Sequence, residues 1–142
     1  MNAAEELLRG MFRFGGQDGD VFGTSAPPDG RAMADYFHAD VCHSLFGPSG
    51  TKEMLAGRDA FLAFVARCAD ALSDRHDEIL SINGIGAECA VVHAKARRKS
   101  KATGEDIRYE WAMVYRVEDG RITYGADMLD ADAQDFWGRV LG

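Results

Sequence analysis

The chain has 142 residues, enough for one domain, 1–142, that buries about two thirds of its unfolded surface. A net charge of −7 withholds the basic footprint that nucleic acid or an anionic membrane requires, so neither is an expected partner. No apolar run approaches the ~20 residues of a membrane span.

The first residues, MNAAEELLRGMF, carry glutamates where a signal peptide would carry basic residues. Three cysteines (Cys42, Cys68 and Cys89) are an odd number without metal-type spacing, which fits reduced thiols in a cytoplasm. There is no glycine-rich phosphate motif, no Cys-x-x-Cys and no His-x-x-x-His, so no cofactor or metal is expected.

Asn2 can cap a first helix, with Glu5 and Glu6 in its positive first turn and Leu7, Leu8, Met11, Phe12 and Phe14 as its apolar stripe. Residues 15–30 are rich in glycine and contain Pro27 and Pro28, so they read as a loop. Val21, Phe22 and Ala26 within it are expected to close as a mobile gate over a bound ligand. Met33, Tyr36 and Phe37 predict a second short helix running toward Asp40, followed by an extended stretch over 41–46.

Gly57-Arg58-Asp59 opens the clearest helix, where Phe61, Leu62, Phe64, Val65, Cys68 and Leu72 recur at helical spacing. From Asp77 the pattern turns to strands over 78–85, 88–99, 107–117 and 122–129, with Asn83-Gly84 and Thr103-Gly104 as turns. The strand beginning near Ile107 is the most explicit. Tyr109, Trp111, Met113, Tyr115 and Val117 alternate with Glu110, Ala112, Val114, Arg116 and Glu118, giving one aromatic face and one largely wet face. Asp119-Gly120 then suits a tight hairpin. Residues 132–140 close the chain with a helical turn.

The segments YFHADV, LAGRDAFLAF and YRVEDGRI, in that order, resemble the SnoaL-like branch of the nuclear transport factor 2-like superfamily, over roughly residues 31–130. The resemblance implies an α+β fold: N-terminal helices packed on a strongly curved antiparallel sheet that forms a cone with an internal, mostly apolar pocket. Sheet-to-sheet homodimers are also implied, and the outer-face residues Val91, His93, Ala112 and Val114 are apolar enough to suit one. Superfamily members include polyketide cyclases, epoxide hydrolases, ketosteroid isomerases and dehydratases, beside non-catalytic binding modules, so the fold does not fix the function.

Two of the family's catalytic patterns have no match. The inward positions where an epoxide hydrolase carries Arg and Asp read here as Ala94 and Ala96, and the stretch 44–46 lacks the carboxylate of a ketosteroid isomerase. Asp127 falls where SnoaL-type cyclases carry an acid/base aspartate. It shares a face with Gly125 and Leu129, and it is either a group held for chemistry or a rim carboxylate bonded to backbone or water. His43 is the candidate partner, with a satisfied core or surface histidine the competing reading. His38 is a weaker candidate, and His93 and His76 read as outward and solvated.

Tyr36, Tyr109, Trp111, Met113, Tyr115 and Leu129 are candidate pocket walls, with plain core packing the competing reading for several. Asp130 reads as a helix cap. Two functions therefore stand side by side. One is a cofactor-independent lyase, isomerase or cyclase acting on a small apolar oxygenated molecule, polyketide-like or terpenoid. The other is a module that binds such a molecule without turnover.

Overall fold

The computed structural model describes residues 1–12, 32–46 and 52–141. The segment 15–30, with its expected gate, lies outside them. Asn2 caps α1 (Ala3–Met11): its side-chain oxygen accepts from the Glu5 N–H at 2.8 Å. Its amide donates to the carbonyls of Gly86 and Cys89 at 3.0 and 2.9 Å, so the capping residue also fastens the helix to a hairpin.

A 3-10 turn, Met33–Tyr36, leads into β1 (Phe37–Phe46), followed by β2 (Lys52–Ala56), α2 (Arg58–Asp70), β3 (Leu72–Ile85), β4 (Cys89–Ser100), β5 (Asp106–Glu118), β6 (Arg121–Leu129) and α3 (Ala131–Leu141). Asp130 caps α3, accepting from the Ala133 N–H at 2.8 Å.

Several expectations are corrected. The second helix stops at Tyr36, and residues 37–40 are already strand, because the β-sheet recruits Phe37 opposite Ile122. Leu72 is not on the α2 stripe; it opens β3, which begins six residues before its expected start. Asn83-Gly84 is paired strand, and the turn falls at residues 86–88, where Gly86 takes a φ of 63°. Gly84 owes its place to packing, since a Cβ there would stand 2.7 Å from the Asn2 amide nitrogen. The edge strand β2 lacks a distinctive alternation, so nothing in its sequence marks it as a strand.

The sheet order is β2-β1-β6-β5-β4-β3. It is mixed, not purely antiparallel: β1 runs parallel to its neighbour β6. A parallel neighbour needs a long crossover, which α2 and the β3-to-β6 meander supply. Alternation within strands carries no information about which one returns beside the first. Register shifts at 79–81 and 116–117 interrupt the ladders and bend the sheet.

Helix α1 packs on β3, β4 and β5, and α2 packs on β1, β2 and β3. Beneath them, β4 alternates strictly: Ala90, Val92, Ala94 and Ala96 are buried, while His93 and Lys95 face outward. No described helix is long and apolar enough to cross a membrane.

Candidate active site

The inner face is built in rows across the strands. Tyr115 on β5 stands opposite Gly125 on β6, which stands beside His43 on β1; Met113 is opposite Asp127, and Trp111 is opposite Leu129. Alternation on β5 and β6 thus puts Asp127 on the side expected of it.

His43 Nε2 and Asp127 Oδ1 are 2.6 Å apart. With Asp127 ionised, the Nε2–H donates and the carboxylate accepts. The contact is short because the strands are parallel neighbours and position 125 carries no side chain. The imidazole also packs on the Phe61 ring of α2, at 4.7 Å between centroids, and Phe61 packs on Phe37. His43 side-chain exposure is 3%, against 14% for Asp127, so the histidine is enclosed and the carboxylate is the more accessible of the two.

Tyr115 is fully buried, and its hydroxyl donates to Met113 Sδ at 2.8 Å. Burial, reinforced by the negative charge of Asp127, holds its phenol well above the ordinary tyrosine range. Tyr115 is therefore a neutral donor at any physiological pH. Cys68, half-buried on α2, has its thiol pushed up to about 12, chiefly by burial; the Asp127 charge adds to this and the Arg75 charge opposes it. A thiol in that condition is a poor nucleophile.

The remaining candidates divide. Trp111, Tyr109 and the partly buried Met113 and Leu129 share the inner face with Asp127, whereas Tyr36 is a buried part of the core at the end of the 3-10 turn. Tyr109 accepts from Trp137 Nε1 of α3 at 3.0 Å. His38 is exposed and accepts from the backbone of Asp40 through Nδ1, away from the dyad. His93 lies 3.8 Å from Glu110 on the outer face.

That outer face carries an open groove of about 350 Å³ bordered by Glu78, Lys95, Arg108 and Glu110, and neither His43 nor Asp127 lines it. Alternating long charged side chains on a bent sheet explain such a groove, so the dyad is the stronger candidate. No group of His, Cys, Asp and Glu among the described residues is arranged to hold a metal ion.

Sequence reasoning missed one inward polar cluster. Asp77, 3% exposed, accepts at Oδ1 from Arg98 Nη2 and from Trp111 Nε1, both at 2.8 Å. Burial alone would raise the Asp77 carboxyl, but the Arg98 charge and hydrogen bond, with the indole N–H and the Arg75 charge, outweigh it and hold it below the usual carboxylate range. The inward series 90, 92, 94, 96 reaches Arg98 two residues on, and that was the available signal. Ala94 and Ala96 are inward as expected, so an inward Arg and Asp do occur but on different strands.

A family model described as a SnoaL-like domain matches residues 21–125. No curated protein matches the sequence. Among solved structures, a protein of ketosteroid isomerase-like fold from Catenulispora acidiphila, crystallised with trimethylamine, is 18% identical with a TM-score of 0.66, covering 91% of this chain and 97% of its own. A protein assigned as a polyketide cyclase from Xanthomonas campestris pv. campestris is 18% identical at a TM-score of 0.63, covering 99% and 97%. Another, assigned as a SnoaL-like polyketide cyclase from Jannaschia sp. CCS1, is 14% identical at 0.64, covering 91% and 85%. At such identities the structures speak for the fold alone, while the family model spans most of the sequence. The chain belongs to the SnoaL-like domain family.

Proposed function

We propose that the chain is a cofactor-independent lyase, isomerase or cyclase that acts by acid/base chemistry on a small, apolar, oxygenated molecule, polyketide-like or terpenoid. The observation that carries this reading is the 2.6 Å contact between enclosed His43 and the more accessible Asp127. The Nε2–H holds Oδ1, leaving Oδ2 as the base that takes a proton from an activated carbon or hydroxyl and returns it elsewhere on the substrate. The imidazole fixes the carboxylate and shares its charge. Met113, Leu129 and Trp111 supply the apolar surface against which the substrate would lie.

A second reading, ligand binding without turnover, draws on Tyr115. Its hydroxyl is engaged by Met113 Sδ rather than aimed at Asp127, which leaves the dyad without a second donor from that residue. A co-crystal or native-mass screen of small oxygenated polyketides and terpenoids identifies the ligand. Turnover lost by about 10²–10⁴-fold in Asp127→Asn, with affinity kept, supports the enzyme. A ligand that binds and is never converted by wild type leaves the binding module.

The same reading includes a homodimer through the outer face, where Val91, Ala112 and Val114 are partly buried and Met128 is 48% exposed. Sedimentation at high micromolar concentration decides this, a monomer there removing the dimer.

A further inference from the structure

Trp111 and Asp77 meet across an intervening strand. Trp111 is on β5 and Asp77 on β3, with β4 between them. Where their side chains cross, β4 presents only methyl groups: Ala94 pairs with Trp111 and Ile79, and Ala96 pairs with Asp77 and Tyr109. A larger residue at either position would stand in the path. The indole reaches over these alanines and donates to Asp77 Oδ1 at 2.8 Å, and it is 5% exposed.

Asp77 is itself immobilised. Arg98 Nη2 donates to the same oxygen, Arg98 Nη1 donates to the carbonyls of His76 and Arg97, and Arg75 Nη2 lies 3.7 Å from Oδ2. Phe12 of α1 packs on the indole from the helix side at 6.1 Å. A hydrogen bond to a carboxylate held in this way is about twice as strong as a neutral one, so it fixes the rotamer of its donor.

The direction of that reach is what matters. β6, with Asp127 and Leu129, borders β5 on the side opposite to β4 and β3. An indole drawn toward β3 leans away from its cross-strand neighbour Leu129, one row along from Asp127. We propose that Asp77 is a positioning residue that sets how long a ligand the interior admits: by holding Trp111 toward β3 it keeps the Leu129 side of Asp127 open. The inference rests on the reading of Asp127 as the point of ligand contact.

The probes are phenol, 2-naphthol and 4-phenylphenol, titrated by ligand-observed NMR. Removing Asp77 alone strands the Arg98 charge and so mixes a loss of stability with the loss of the clamp. The principal variant is therefore the pair Asp77→Leu with Arg98→Met, and Trp111→Phe is the second. The paired variant is expected to lose about tenfold in affinity for 4-phenylphenol and little for phenol, because the released indole can swing back toward Leu129 and shorten the room beside Asp127. In the Trp111→Phe background the same pair should change nothing further.

A ligand-free readout runs beside this one. With Trp137→Phe as background, loss of the clamp should raise acrylamide quenching of Trp111. Equal losses for all three phenols, a length effect that persists without Trp111, or unchanged quenching each overturns the inference and leaves the reading of the dyad intact. Failure of wild type to bind any of the three phenols overturns both.

Discussion

His43 lies directly on the backbone of Gly125: a Cβ at residue 125 would stand 2.6 Å from Nδ1 and 3.0 Å from Cε1 of the imidazole. Gly125 has no positive φ, so its value here is absence of volume, not conformational freedom. Elsewhere in a strand, Gly→Ala gains about 0.4–1 kcal/mol by stiffening the unfolded chain. Here the overlap dominates, because Phe61 closes the other side of the ring and Tyr115 Cδ1 is only 3.2 Å from the same Cβ. Gly125→Ala should cost about 1–3 kcal/mol and break the contact with Asp127. Urea unfolding and the His43 imidazole resonances check both parts, and an unmoved imidazole spectrum would refute the packing argument.

Asn2 offers a separable test of how α1 is attached. Its oxygen caps the helix and its amide bonds two carbonyls of the β3–β4 hairpin. Asn2→Ala removes all three bonds and should cost about 2 kcal/mol. Asn2→Asp keeps the cap, suits the helix N-terminus and loses only the hairpin bonds. Its urea midpoint should fall between wild type and the alanine variant. An Asp variant as stable as wild type would mean that the hairpin bonds contribute nothing.

Much of this was legible in the sequence wherever a signal was local. The β5 aromatic alternation, the Asp119-Gly120 turn, the Asn2 and Asp130 caps and the inward face of Asp127 all follow from spacing of two or three residues. The parallel pairing of β1 with β6 was not legible, because it depends on a crossover that runs from residue 47 to residue 120. It is nevertheless what brings His43 to Asp127. The Asp77 cluster escaped for a related reason: its three members come from three strands, and although Trp111 lies on the legible aromatic face and Arg98 continues the inward series 90, 92, 94 and 96, nothing local joins either to Asp77.

Acid should unmask that cluster. The native Asp77 carboxyl is held below its ordinary value of 3.8, so its ionised form is favoured by folding. The resulting stability is fully present well above pH 4 and is lost as pH falls through the lower native value. Breaking a buried pair by removing one partner costs about 3–5 kcal/mol. The gap in urea midpoint between wild type and Asp77→Asn should therefore be wide at pH 6 and shrink steadily below about pH 4. A gap independent of pH between 6 and 2.5 would show that the charge of Asp77 does not contribute.

Cys68 reports on Asp127 without any knowledge of a ligand. Its thiol, pushed up to about 12, leaves roughly a thousandth of the residue ionised at pH 9. In a Cys42→Ser, Cys89→Ser background, alkylation by iodoacetamide should accordingly be slow at pH 7 and rise about tenfold per pH unit to pH 10, with no plateau. The Asp127 charge is one of the causes of the upward shift, second to burial among those that raise it. Asp127→Asn removes that charge while keeping the shape, so the whole profile should move to lower pH and alkylation should quicken at every pH tested. His43→Gln leaves the carboxylate in place and should not reproduce this gain. A plateau below pH 9 in wild type would contradict the protonated, half-buried thiol, and an unchanged profile in Asp127→Asn would mean that the carboxylate and the thiol do not face a common interior.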